Sequence, residues 1–74
     1  MKPENVLSPT TGAVWKIEVA IGATVAAGDV LMVIESMKME IPVEAPAGGT
    51  VTALSVREGE QVQEDQVLAT VQAA

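Results

Sequence analysis

An all-β domain made of two related halves is the fold class this sequence predicts, and three observations predict it. Residues 8–36, "SPTTGAVWKIEVAIGATVAAGDVLMVIES", align with residues 45–73, "APAGGTVTALSVREGEQVQEDQVLATVQA", at a constant offset of 37 and without a gap. Each half is a series of short β-branched runs separated by turn signals, the pattern of many short strands. No segment carries a long apolar stripe at the 3.6-residue helical period.

The repeat has eight identities in 29 positions, and they fall on turn residues and core valines alike. Pro9 matches Pro46, Gly12 matches Gly49, Val14 matches Val51 and Gly22 matches Gly59. Two copies are too few for a solenoid, which needs about three, so a pseudo-twofold pair closing on itself is expected. In each half a glycine opens an apolar run, Val14 to Val19 or Val51 to Val56, whose alternation changes phase midway. That change predicts a bend or bulge. A turn at Gly22 or Gly59 follows, then a short segment around Val25 or Val62, a second turn, and a β-branched run at 30–35 or 67–71. The alanine-rich "GATVAAGD" is the best helix candidate. It is rejected because it is short, bounded by glycines, and matched by "GEQVQEDQ", which has no apolar face.

The segment 37–44 lies outside both aligned copies. "LMVIES" (31–36) and "MEIPVEA" (39–45) are expected to form two strands joined by a tight turn at Met37 and Lys38. A two-residue hairpin turn ordinarily calls for glycine or asparagine, and neither is present. A local rule broken at one point is where functional residues tend to be found. Pro42 has no N–H for a ladder, which puts the second strand at an edge or a bulge.

The totals narrow the function. Seventy-four residues allow one domain, taken here as 1–74 with its core at about 6–72. Ten acidic residues against Lys2, Lys16, Lys38 and Arg57 give a net charge of −6, which repels nucleic acid and anionic membranes. The longest apolar run, "VLMVI", has five residues and cannot span a bilayer as a helix. No basic stretch followed by an apolar one opens the chain, so secretion is not signalled and a cytoplasmic location is expected. Histidine and cysteine are both absent, which removes the commonest general base, thiolate chemistry and the usual metal ligands. With scattered carboxylates besides, neither an independent active site nor a metal site is expected. The chain reads as something acted upon, or something that binds.

Lys38 is then the conspicuous residue: one of only three lysines, flanked by Met37 and Met39 in the most apolar part of the chain. A buried lysine is costly. If the surrounding apolar residues are strands of a thin core, the turn carries Lys38 outward with two adaptable methionines beside it. The plain alternative is an ordinary solvent-facing lysine, with the methionines folded into the edge of the core.

"ESMKME" (35–40) resembles the attachment motif of biotinyl domains, Glu-Ala-Met-Lys-Met. Over residues 6–72 the Pro-x-x-Gly opening of each half, the glycine turns and the 37-residue repeat resemble a small biotin carboxyl carrier of the biotin/lipoyl attachment family. The resemblance implies a flattened eight-stranded barrel-sandwich hybrid of two pseudo-twofold halves, with the modified lysine on an exposed hairpin. It implies that biotin protein ligase joins biotin to Lys38 through an amide, that Met37 and Met39 matter for recognition, and that Glu35, Ser36 and Glu40 complete the motif. Ser36 departs from the usual alanine, which bears on ligase affinity. The arm would carry carboxyl groups between biotin carboxylase and carboxyltransferase active sites, making the chain a carrier and not an enzyme. The 20–24 loop is too short for the protruding thumb of some bacterial carriers, so the thumbless class is implied, either as a free-standing subunit or as part of a longer chain. A lysine is a nucleophile only in its neutral form, and only carboxylates lie near Lys38 in sequence; a partner has to activate it.

Two rivals share the fold. Lipoyl domains display a lysine at the same hairpin, but their sites typically read Asp-Lys-Ala; mixed biotin/lipoyl attachment proteins also exist. Unmodified interaction modules have no need of Met-Lys-Met. Elsewhere, Trp15 has no aromatic counterpart at Thr52 and is expected to pack in the core or at the barrel end. Glu58, Glu60, Glu64 and Asp65 are expected to form a solvated face.

Overall fold

The computed structural model describes residues 2–74. Those residues form eight strands and no helix: β1 (Pro3–Leu7), β2 (Gly12–Ile17), β3 (Thr24–Val25), β4 (Val30–Ser36), β5 (Met39–Glu44), β6 (Gly49–Leu54), β7 (Gln61–Val62) and β8 (Val67–Ala73). They build two four-stranded antiparallel sheets, ordered β1-β8-β6-β3 and β5-β4-β2-β7. Replacing each strand by the one 37 residues away converts one sheet's order into the other's. The expected pseudo-twofold is therefore present, and each sheet mixes strands of both halves. The expected barrel is realised as a sandwich, with no strand ladder joining the two sheets among the described residues.

The repeat extends one strand further than the aligned sequence. β5, expected to belong to the connection, is the counterpart of β1: their ranges differ by 37 residues at the C-terminal end. Val6 and Val43 are their one shared identity, and both are buried. Only Met37 and Lys38 remain as the link between the halves.

The phase changes are bulges, and they too come in pairs. Trp15 is the extra residue of β2 against β4, and Thr52 that of β6 against β8. Leu31 and Leu68 are the corresponding extras in β4 and β8, and both are fully buried. A bulge increases local twist, which lets short sheets wrap a core of valine, leucine, isoleucine, methionine and alanine with no aromatic residue in it. "GATVAAGD" forms the two-residue β3 between turns, not a helix. The molecule is elongated, 36 × 17 × 17 Å.

One expectation is corrected and one is extended. Trp15 is half exposed, since the bulge turns it away from the core. Glu58, Glu60, Glu64 and Asp65 are all exposed, as expected of a solvated face, but two of their carboxylates also accept hydrogen bonds. Glu58 Oε2 accepts the Ile17 N–H at 2.9 Å, and Glu60 Oε1 accepts the Arg57 N–H at 3.1 Å. Glu58 thereby ties this connection to β2, whereas its repeat counterpart Ile21 has no acceptor and is exposed. Glu58→Ala is expected to destabilise the fold by about 1 kcal/mol, a fall in Tm of roughly 4–8 °C for a domain of this size. Glu58→Gln, which keeps an acceptor, is expected to lose less in the same thermal melts.

Candidate functional site

The β4–β5 hairpin is the longest ladder of its sheet, with pairs from Val30↔Glu44 to Ser36↔Met39 interrupted by the Leu31 bulge. Its two-residue turn is Met37–Lys38, with φ of 52° and 65°. Both central residues lie in the left-handed region, as a type I′ hairpin requires, and neither is glycine or asparagine. Each such residue costs on the order of 1 kcal/mol. The register explains why the chain accepts this: Ile34 is fully buried and pairs with Ile41, so a one-residue slip would turn core residues outward. With Ser36 paired to Met39, the register leaves two residues to make the link.

The turn holds its side chains clear of the protein. Lys38 is exposed, Met37 is 92% exposed and Met39 64%. Among the described residues the one ion pair is Lys16–Glu18, at 3.8 Å, so Lys38 has no carboxylate partner. Glu35 and Glu40 face each other across the ladder just beneath the turn, a like-charge pairing that works against the strand pair. Ser36, half-buried, donates from Oγ to the Thr11 carbonyl at 2.9 Å. All six motif residues, Glu35 to Glu40, thus fall on one hairpin end.

The turn and the chain ends lie at opposite poles. β5 leaves the turn at Met39 and delivers the chain, through 45–48, to Gly49, which pairs with Ala73. There the Ala73 N–H donates to the Lys2 carbonyl at 3.0 Å. Gly12 brings β2 against the hairpin: a Cβ on it would collide with the Glu35 carbonyl oxygen and lie 3.0 Å from Ile34 Cγ2. The glycine read from sequence as opening the apolar run is here a close-approach residue.

Sequence reasoning had no signal for the loop beside the hairpin. Thr11, 27 residues before Lys38, meets Ser36 and also accepts the Glu64 N–H at 3.1 Å through Oγ1. An open groove of about 300 Å³ separates β1 from β5. It straddles the pseudo-twofold, pairing Val6 with Val43 and Pro9 with Pro46 across it. Lys38 and its motif residues take no part in it. No group of three or more His, Cys, Asp or Glu suited to a metal ion occurs among the described residues, and no helix is long and apolar enough to cross a membrane.

Comparison with known proteins gives the same family from sequence and from fold. The chain is 43% identical over 68 residues to the biotin-dependent acyl-coenzyme A carboxylase alpha3 subunit of Mycobacterium leprae, spanning 92% of this chain and 11% of that protein. It is 38% identical over 68 residues to the biotinylated protein TB7.3 homolog of the same organism, covering 92% of this chain and 96% of that one. The crystal structure of the Kluyveromyces lactis urea carboxylase superposes with a TM-score of 0.92 at 33% identity, over 97% of this chain and 6% of that one. The chain thus spans about a tenth or less of the large carboxylase chains it matches, but nearly all of the small biotinylated protein. The Biotin_lipoyl family, described as "Biotin-requiring enzyme", matches residues 4–71. This chain, with its two interlocked sheets, belongs to the Biotin_lipoyl family.

Proposed function

We propose that the chain is a biotin carboxyl carrier, one biotinyl domain with its core at 6–72, and that Lys38 is where biotin is attached. The observation that carries this is an exposed amine without a carboxylate partner among the described residues, held on a strained two-residue turn at the pole away from the chain ends. Family membership and the similarity to biotin-dependent carboxylase chains support it. Among the described residues Lys2 is exposed and unpaired as well, but only Lys38 is held on such a turn, where a visiting enzyme can surround it.

Biotin protein ligase is the proposed modifying partner. Lys38 Nζ attacks the acyl carbon of an acyl-adenylate: the N–C amide bond forms, the bond to AMP breaks, and the displaced proton leaves to the ligase or to water. The hairpin's part is geometric, holding Nζ clear of the sandwich so that the ligase surrounds it. Bound biotin supplies reversible carboxylation of its ring. The carrier's own residues supply tethering, which keeps the arm at roughly millimolar effective concentration around partner sites. The proposed later partners are the biotin carboxylase and carboxyltransferase of a biotin-dependent carboxylase, with neither nucleic acid nor a membrane involved. A cytoplasmic setting fits an acidic chain without cysteine. The chain itself does no chemistry beyond offering the amine.

Intact-mass measurement after incubation with ligase, biotin and ATP tests this; a gain of one biotinyl group, mapped to Lys38, is expected. A lipoyl adduct instead, from cells that supply both, would move the chain to the lipoyl side of its family. A chain that no ligase labels would be an unmodified interaction module.

Met37 and Met39 are the proposed recognition contacts, with Glu35, Ser36 and Glu40 completing the motif. Met37→Gly separates presentation from recognition. Glycine removes the left-handed strain, offset in part by a floppier unfolded chain, so stability is expected to rise by about 0.5 kcal/mol. Loading by the ligase is expected to slow because the exposed thioether is gone. Urea titration and a loading time course read the two effects, which have opposite signs.

A further inference from the structure

The pole opposite Lys38 shows what is missing at its own. Under the 37-residue correspondence Thr11 matches Gly48, Ser36 matches Ala73 and Met37 matches Ala74. At the chain ends the Gly48 carbonyl accepts a backbone bond from the Ala74 N–H, at 3.1 Å. At the hairpin the corresponding Thr11 carbonyl is met instead by a side chain, Ser36 Oγ at 2.9 Å, with a longer contact of 3.4 Å from Thr10 Oγ1. Met37, turned to φ 52°, belongs to the reversal and not to a continuing strand. A hydroxyl has taken over the tie that the backbone makes elsewhere.

That tie is placed where the hairpin has least support. The ladder from β2 to β4 ends at Ala13↔Glu35, and β5 is an edge strand. The Ser36↔Met39 pair and the turn therefore project beyond the last β2 rung. Among the described residues, Ser36 Oγ makes the one side-chain hydrogen bond from residues 36–39. Its acceptor is well anchored: Thr11 Oγ1 accepts the Glu64 N–H, the fully buried Ser8 donates its N–H to the Gln66 carbonyl, and its own carbonyl accepts the Asp65 N–H.

We propose that Ser36 is a positioning residue: its bond to Thr11 braces the hairpin, so that Lys38 meets the ligase already ordered. The proposal rests on Lys38 being the attachment point. Ordering a loose turn on docking weakens binding, and a chemical step that follows docking is not slowed by it. The brace therefore acts on the KM for the carrier and not on kcat.

The test is steady-state loading by biotin protein ligase, with biotin and ATP, of wild type, Ser36→Ala and Ser36→Thr, together with amide hydrogen exchange of residues 37–40 in each free carrier. For Ser36→Ala, KM is expected to rise about fivefold, the order of one lost hydrogen bond, with kcat within about twofold. Hairpin exchange is expected to quicken in parallel. Ser36→Thr, which keeps the hydroxyl, is expected to match wild type on both counts. An unchanged KM for Ser36→Ala overturns the proposal whatever exchange shows, and a raised KM with unchanged exchange overturns it by making the hydroxyl a direct ligase contact. Failure of the threonine variant to restore both also counts against it. Wild type that takes up no biotin removes the Lys38 assignment itself, a result seen before any Ser36 variant is compared.

Discussion

Lys38→Arg is expected to abolish loading by biotin protein ligase while leaving the melting curve of the protein unchanged. Arginine keeps the positive charge and the length of the side chain, so charge recognition is largely preserved. Its guanidinium is not a nucleophile near neutral pH, so no amide forms. Stability is insensitive because Lys38 makes no ion pair and is exposed, and surface substitutions of that kind usually stay within about 0.5 kcal/mol. The two checks are intact mass after ligase treatment and a thermal melt by circular dichroism. A biotinyl group found on the arginine variant would place the attachment point elsewhere, and Lys2 and Lys16 are the remaining lysines.

The largest stability effects are expected at the paired bulges. Leu31 and Leu68 are both fully buried, each at the bulge that folds its strand over the core. Leucine-to-alanine changes at such sites remove about 2–5 kcal/mol. A chain of 74 residues has roughly 4–11 kcal/mol in total, so either single variant is expected to lose a large share of its stability, and the double variant to be unfolded. Urea titration measures this. Because the sites correspond under the pseudo-twofold, the two single losses are expected to agree to within about 1 kcal/mol. A much smaller loss at Leu31 would mean that β4 is less tightly packed than β8. Leu31→Ala is also the more informative for loading, since β4 carries the hairpin; any loss of loading there should track the unfolded fraction.

Much of the fold is legible in the primary structure because the repeat records it twice. The spacing of Gly12, Gly22 and Val30 recurs at Gly49, Gly59 and Val67, and a residue pattern kept in two places points to backbone geometry required in two places. The bulges at Trp15 and Thr52 were legible as phase changes for the same reason, whereas those at Leu31 and Leu68 lie in continuous apolar runs that show no phase. β5 was not recognised as the partner of β1, because the two share little beyond Val6 and Val43; edge strands have one neighbour and few constraints on outward positions. Trp15 was misplaced because hydrophobicity says nothing about which residue of a bulge is turned out. Glu58 is exposed as expected, but its bond to the Ile17 N–H had no sequence signal because a long-range side-chain bond leaves no local pattern.

The candidate site divides in the same way. Lys38, its methionines and its acidic flanks are adjacent in the chain, so their order alone identifies them. The loop that braces them is not adjacent: Thr11 reaches Ser36 across 25 residues and Glu64 across 53.

Sequence alone thus settled the class of strands and their duplication and singled out Lys38 as the candidate residue, since these depend on alternation, turn chemistry and local order. Tertiary structure decided which strands share a sheet, that the lysine turn and the chain ends occupy opposite poles, and what steadies the turn. Those depend on backbone groups that meet only when distant strands come together, and a backbone carbonyl such as that of Thr11 has no letter of its own in the sequence.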